Sequence, residues 1–252
     1  MKRFIEIDIL KGIAVLCMII FHFFYFPNQY GFKEIEYNTR TLKIIAKIAQ
    51  VIFITCVGIN LVLSFNNSKD KNEYQKKQIK RIIIFAFYAL LMTIFTYMIF
   101  NDKFVKFGIL HFIALSSLLL FMFVDNLLLI GIIMIIVVIL YIMNIFSPES
   151  FYILPEKLAF ISGFYNFKYT AIDHFSIIPW ILLICIGILI GHYIIKKDDY
   201  KSPEFLIQNQ LSQYLKKIGK YSLEIYAIHW VVLYFVFCII YSKYFRQQFI
   251  SS

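Results

Sequence analysis

Seven stretches of this chain are each long and apolar enough to cross a lipid bilayer, and that feature removes most of the folds open to 252 residues. A helix rises about 1.5 Å per residue, so crossing the hydrocarbon core takes about 20 apolar residues. The stretches are Ile9–Pro27, Ile44–Phe65, Ile82–Phe100, Phe107–Val124, Leu127–Phe146, Phe175–Ile195 and Ser222–Tyr241. The expected fold is therefore all-α: a polytopic transmembrane helical bundle of about seven spans. Residues 1–252 are expected to form a single integral membrane domain, placed in the cell membrane. The charged residues agree, since they make up 16% of the chain against about a quarter in soluble domains.

Where the cations fall gives the orientation. Residues 66–81 hold six (Lys69, Lys71, Lys76, Lys77, Lys80 and Arg81), and residues 196–221 hold six more (Lys196, Lys197, Lys201, Lys216, Lys217 and Lys220). Lys and Arg collect in cytoplasmic loops. Seven spans with the N-terminus in the cytoplasm place both segments there. The net charge of +10 then reads as loop cations facing anionic lipid, and no zinc-finger, phosphate-loop or RNA motif points to nucleic acid. Glu6 and Asp8 follow the opening MKRF, so the first apolar run reads as a retained span and not a signal peptide. Cys17, Cys56, Cys185 and Cys238 lie in apolar runs without a CxxC pair and read as small hydrophobes. Residues 203–221 carry Ile207, Leu211, Leu215 and Ile218 at helical spacing, the pattern of an amphipathic helix on the inner membrane face. Residues 151–174 form the longest outer loop and have room for a re-entrant element.

Ionisable residues inside spans are costly and are candidates for function. Lys11 and His22 are eleven residues apart, three turns plus about 20°, so they share one face of the first span about 16 Å apart along its axis. Gly12 lets another helix or a ligand approach the backbone closely. His22, His111, Asp173 and His174 are expected toward the outer leaflet. His229 is expected about 12 Å into the last span from the cytoplasmic side. Three readings stay open for this group: an acid/base site, a metal site, and polar contacts that only join helices. No HxxxH or HxH pair supports the metal. A transporter or flippase for a lipid or sugar, and a structural subunit, remain the competing functions. A homodimer stays open as an expectation, without a prominent small-xxx-small stripe to form its interface.

Asp8, Lys11, Gly12 and His22 together make D-x-x-[RK]-G followed by His. FGILHFIALSSLLL, IDHFSIIPWILLICIGILIG and IGKYSLEIYAIHWVVL follow in that order. The set resembles the heparan-alpha-glucosaminide N-acetyltransferase-like catalytic domain family, related to acyltransferase family three. The resemblance implies a membrane acyltransferase. It would take an acyl group, acetyl by default, from cytoplasmic acetyl-CoA or another acyl-CoA to an extracytoplasmic saccharide or glycolipid. It further implies His22, with Asp173 and His111, as the catalytic set. Lys11, Gly12, Asp8 and His229 would lie along the donor. Lys11 stands where the family usually has Arg, which offers phosphate a point charge and not a fork.

Overall fold

The computed structural model describes residues 4–29, 39–100, 104–146, 155–164, 173–196 and 202–240. Ten α-helices occur among them. They are α1 (Ile5–Gln29), α2 (Thr39–Asn66), α3 (Lys71–Phe100), α4 (Ile109–Leu120), α5 (Leu127–Phe146), α6 (Glu156–Ser162), α7 (Ile177–Lys196), α8 (Glu204–Gln208), α9 (Gln210–Lys220) and α10 (Ser222–Ile240). No named strand accompanies them among the described residues; the only extended pairing there is an isolated bridge from Phe107 to His174.

Six of these helices, α1, α2, α3, α5, α7 and α10, are long and apolar enough to span a membrane. The fourth expected span is shorter. It is the 12-residue α4 continued by a 3-10 turn at Phe121–Phe123. Its length, about 22 Å, falls short of the roughly 30 Å hydrocarbon core. The lipid-facing surface is plain on α5, where among the described residues only Ile130 and Val137 are buried, and on α3, where Ile83, Phe87, Leu90, Ile94 and Met98 are exposed. In water such a surface would be an aggregation site. In lipid it is the outside of the bundle.

Local chemistry sets the helix ends. Asp70 Oδ1 accepts the Glu73 N–H (2.7 Å) while Glu73 Oε2 accepts the Lys69 N–H (2.6 Å), a reciprocal cap that starts α3 well before its apolar run. Asn126 Oδ1 accepts the Leu129 N–H (3.0 Å) and starts α5 directly after the short α4–α5 connection. Regular helix in α7 begins at Pro179, because Ile178 before it is extended (ψ 129°). Part of the loop expected over residues 151–174 is helical, as α6, which ends on Gly163 at a φ of +93° that suits glycine. Residues 151–154 and 165–172 of that loop lie outside the described residues, as does Tyr241. The expected amphipathic helix is two pieces, α8 and α9. They are split at Asn209, whose side chain accepts the N–H groups of Leu211 (2.8 Å) and Ser212 (3.3 Å).

The chain divides into two compact units. The larger holds residues 54–200. In it the second half of α2 packs on α7 through glycine: a Cβ on Gly58 would strike the Ile184 carbonyl, and one on Gly187 would strike the Thr55 carbonyl. The smaller unit holds residues 3–53 and 201–252. Its central contact is α1 on α9. A Cβ on Gly219 would overlap the Asp8 carbonyl oxygen, and one on Gly12 would overlap the Leu215 carbonyl oxygen. The two backbones touch because neither glycine has a side chain, and α9 turns Ser212 and Gly219 inward while Phe205, Ile207 and Leu211 on α8 and α9 stay exposed.

A methyl at Gly219 must push apart two backbones that cannot rotate away, and overpacking of this kind costs about 1–3 kcal/mol. Gly219→Ala is expected to lower the thermal unfolding midpoint in detergent. Gly131→Ala, in α5, where nothing lies within 4 Å of the added carbon, is expected to leave it level or raise it slightly. Equal midpoints for both variants would show that the α1–α9 crossing does not need the glycine.

Candidate active site

In the smaller unit, α1 turns one stripe inward. Asp8, Gly12, Val15, Met18, His22 and Phe26 are all buried and recur at intervals of three or four residues. Lys11 lies on the edge of that stripe. Its Nζ pairs with Asp8 Oδ1 one turn back (2.8 Å), with the two side chains 17% and 5% exposed. The cation near the start of α1 is thus already matched by a carboxylate. Gly12 is covered by α9, so of its two expected uses the structure shows the helix approach.

His22 and His229 meet. His229 Nε2 lies 3.0 Å from His22 Nδ1, and the rings are 4.9 Å apart. The sequence had suggested different depths for these two residues, and their contact has a simple cause. Gly12 and Gly219 touch at one level; His22 lies ten residues beyond Gly12 in α1, and His229 lies ten residues beyond Gly219, in α10. The crossing fixes the register, and the register brings the imidazoles together. Trp230 (5.2 Å from the His22 ring), Phe26 (6.1 Å) and Phe21 (5.2 Å) enclose the pair. Tyr226, one turn before Trp230, stacks on Phe53 of α2 at 6.0 Å. Both histidines are buried at 6% exposure, among rings that exclude water.

The hydrogen bonds assign the protons. A carbonyl oxygen only accepts, so the His229 nitrogen beside the Tyr226 carbonyl, Nδ1, must carry hydrogen (2.5 Å). In the neutral ring His229 Nε2 is then an acceptor. His22 Nδ1 lies between that acceptor and the Met18 carbonyl (2.9 Å), so it too must be a donor. One nitrogen is left: His22 Nε2 has a lone pair and no hydrogen-bond partner among the described residues. A neutral imidazole whose tautomer is fixed in this way presents a base at one defined atom.

The larger unit holds the other expected residues, and there the polar groups are used in building the start of α4. His111 Nδ1 accepts the Gly108 N–H (3.3 Å), so its Nε2 carries hydrogen and donates to Thr93 Oγ1 (3.2 Å), which donates to the Val105 carbonyl (2.9 Å). Both ring nitrogens of His111 are engaged. Asp173 Oδ2 accepts the Ile109 N–H (3.3 Å), a carboxylate at a helix N-terminus. Desolvation pushes the Asp173 carboxyl up to about 6, and the Ile109 bond only partly offsets it. His174 donates from Nε2 to the Phe160 carbonyl (2.9 Å) and lies flat on the Phe160 ring (4.2 Å). His192 donates from Nε2 to the Val124 carbonyl (2.7 Å). No group of three His, Cys, Asp or Glu residues is placed to hold a metal ion among the described residues, and none of the four cysteines is in a disulfide.

Residues 3–231 match the family described as heparan-alpha-glucosaminide N-acetyltransferase, catalytic. The chain belongs to that family. The match runs from the first turn of α1 into α10, so it covers Asp8, Lys11, His22, His111, Asp173 and His229 alike. Family membership and the six apolar helices make this an integral membrane protein of acetyltransferase-like type. Neither the curated proteins nor the solved structures compared with the chain gave a match.

Thr93, Trp230, Phe26 and Gly219 enter the site description from the structure alone. Gly219 had a visible signal, a glycine inside an amphipathic helix. Thr93 had none, since it lies in an apolar run and its partners come from a different part of the chain. The α4 cap predicts a pH effect. In the folded chain the Asp173 carboxyl holds its proton up to about 6, whereas an unfolded Asp releases it near 3.8. The folded state therefore binds more protons across that window, and its stability falls as pH rises through it. Asp173→Asn is expected to flatten the stability profile between about pH 4 and 6 in unfolding measurements. An unchanged slope would remove the carboxyl from the cap.

Proposed function

We propose that the chain is an acetyl-CoA-dependent transmembrane acyltransferase in which His22 is the general base. It would move the acyl group of a cytoplasmic acyl-CoA to a hydroxyl or amine of an extracytoplasmic saccharide or glycolipid. The observation that carries the reading is the bare Nε2 of His22, held at one atom by a chain of donated hydrogens. Membership in a family of transmembrane acetyltransferase catalytic domains supports the reaction class.

In this reading His22 Nε2 takes the proton of the acceptor O–H or N–H as that atom bonds to the acyl carbon. The acyl carbon–sulfur bond breaks, and the proton passes from Nε2 to the departing sulfur. His229 is a positioning residue. Its Nε2 lone pair holds the His22 Nδ1 hydrogen in place and, with the Met18 carbonyl, steadies the imidazolium while it exists. Trp230, Phe26 and Phe21 keep water from competing for the acyl group. Lys11 offers its cation to the donor's phosphates, at the cost of sharing or leaving Asp8. Gly12 has no room for a donor group while α9 covers it. His111 and Asp173 act on this account through α4, which they cap.

The test is acyl transfer by the purified chain in detergent, with His22→Gln and His22→Ala beside wild type. Loss of a general base lowers rates by about 100- to 10,000-fold. That loss is expected in both variants with acyl-CoA binding kept, and added imidazole is expected to restore part of the rate to His22→Ala. His229→Phe is expected to fall between wild type and His22→Gln. Full turnover in His22→Ala would end the proposal.

A further inference from the structure

A second polar site lies in the larger unit. Gln78 and Arg81 on α3 share a face with Ile82 and Phe85, and together with Val57 and Leu61 of α2 and Ser117 of α4 they line a small cavity. It has room for about one water molecule. Gln78 is 2% exposed, and its amide nitrogen has no hydrogen-bond acceptor. Arg81 makes no ion pair among the described residues. The polar groups here have one character. A guanidinium offers up to five N–H donors and no acceptor, an amide nitrogen adds two more, and a hydroxyl can turn to donate. Among the described residues no carboxylate lines the cavity. Lys77, one turn before Arg81, is already paired with Glu73 (2.7 Å), so the unmatched charge is that of Arg81.

A buried donor without an acceptor is costly, and so is a guanidinium without an anion. One ligand class removes both costs. We propose that the Arg81–Gln78–Ser117 cavity binds an oxyanion of the phosphate class, taking one of its oxygens between the three side chains. The rest of the anion lies at the mouth, because the cavity admits about one oxygen-sized group. Arg81 supplies the fork that a tetrahedral anion accepts in pairs, Gln78 Nε2 gains its missing acceptor, and Ser117 completes the set. The inference rests on this cavity and not on acyl transfer, so either can fail without the other.

Two sources carry that chemistry: a soluble phosphate ester or diphosphate, and the headgroup of an anionic phospholipid. The whole chain purified in a maltoside detergent, which contains no phosphate, separates them. One arm titrates inorganic pyrophosphate by calorimetry and by shift of the unfolding midpoint. The other adds phosphatidylglycerol and measures retained lipid by native mass spectrometry. Removing a charged hydrogen-bonding partner is expected to weaken binding by about 10- to 100-fold. Arg81→Gln is expected to do so in at least one arm, with Arg81→Lys intermediate. A loss in the pyrophosphate arm assigns a soluble anion; a loss in the lipid arm alone assigns the headgroup. Should Arg81→Gln not fold, Gln78→Leu and Ser117→Ala test the same cavity with the charge kept. Wild type binding neither probe, or variants binding both as wild type does, would overturn the proposal and leave the cavity to water.

Discussion

The contact between Gly12 of α1 and Gly219 of α9 is the constraint on which the histidine site depends. Two backbones touch there with no side chain between them, so the helices can slide past each other only by lifting apart. Once that level is fixed, ten residues along α1 lead to His22, and ten residues from α9 into α10 lead to His229. A shift of even one residue, about 1.5 Å of rise and 100° of turn, would separate Nδ1 from Nε2 and break the proton chain. The glycines are far from the imidazoles, yet they decide which imidazole nitrogen is left bare.

The surroundings of the pair favour one well-defined base. Neutral imidazoles cost little to bury when their N–H groups are satisfied, and each histidine here donates to a carbonyl of its own helix. Lipid outside and aromatic rings inside keep the local dielectric low, which strengthens those bonds. The Asp8–Lys11 pair shows the same economy near the other end of the stripe. Neither ion is stranded, because each is the partner of the other. The larger unit treats its polar residues differently. His111, Asp173 and Thr93 are tied into the cap of α4, and their bonds end on backbone groups.

Periodicity alone made the helices and the shared face of Lys11 and His22 legible, because apolar runs and a 3.6-residue turn leave few alternatives. The order of four motifs made the family legible. Depth was harder to read. His229 was placed by counting from the start of its own span, but the level of α1 is set against α9, which precedes that span. The early start of α3 came from a cap made by Asp70 and Glu73, which lie before the apolar run and outside any pattern in it. The contacts of His111 and Asp173 were hidden for a related reason. Their partners, Thr93, Gly108 and Ile109, are set by how α3, α4 and the residues before α7 come together, and no spacing in one segment reveals that.

The central claim concerns one nitrogen, and nitrogen-15 NMR of the histidine-labelled protein reads it directly. With His22 assigned by its substitution, the account predicts a neutral ring at neutral pH, with hydrogen on Nδ1 and none on Nε2. It also predicts that His229→Phe disturbs the His22 Nδ1 signal. A His22 ring carrying its hydrogen on Nε2, or protonated on both nitrogens, would contradict the account, because no base would then face the acceptor.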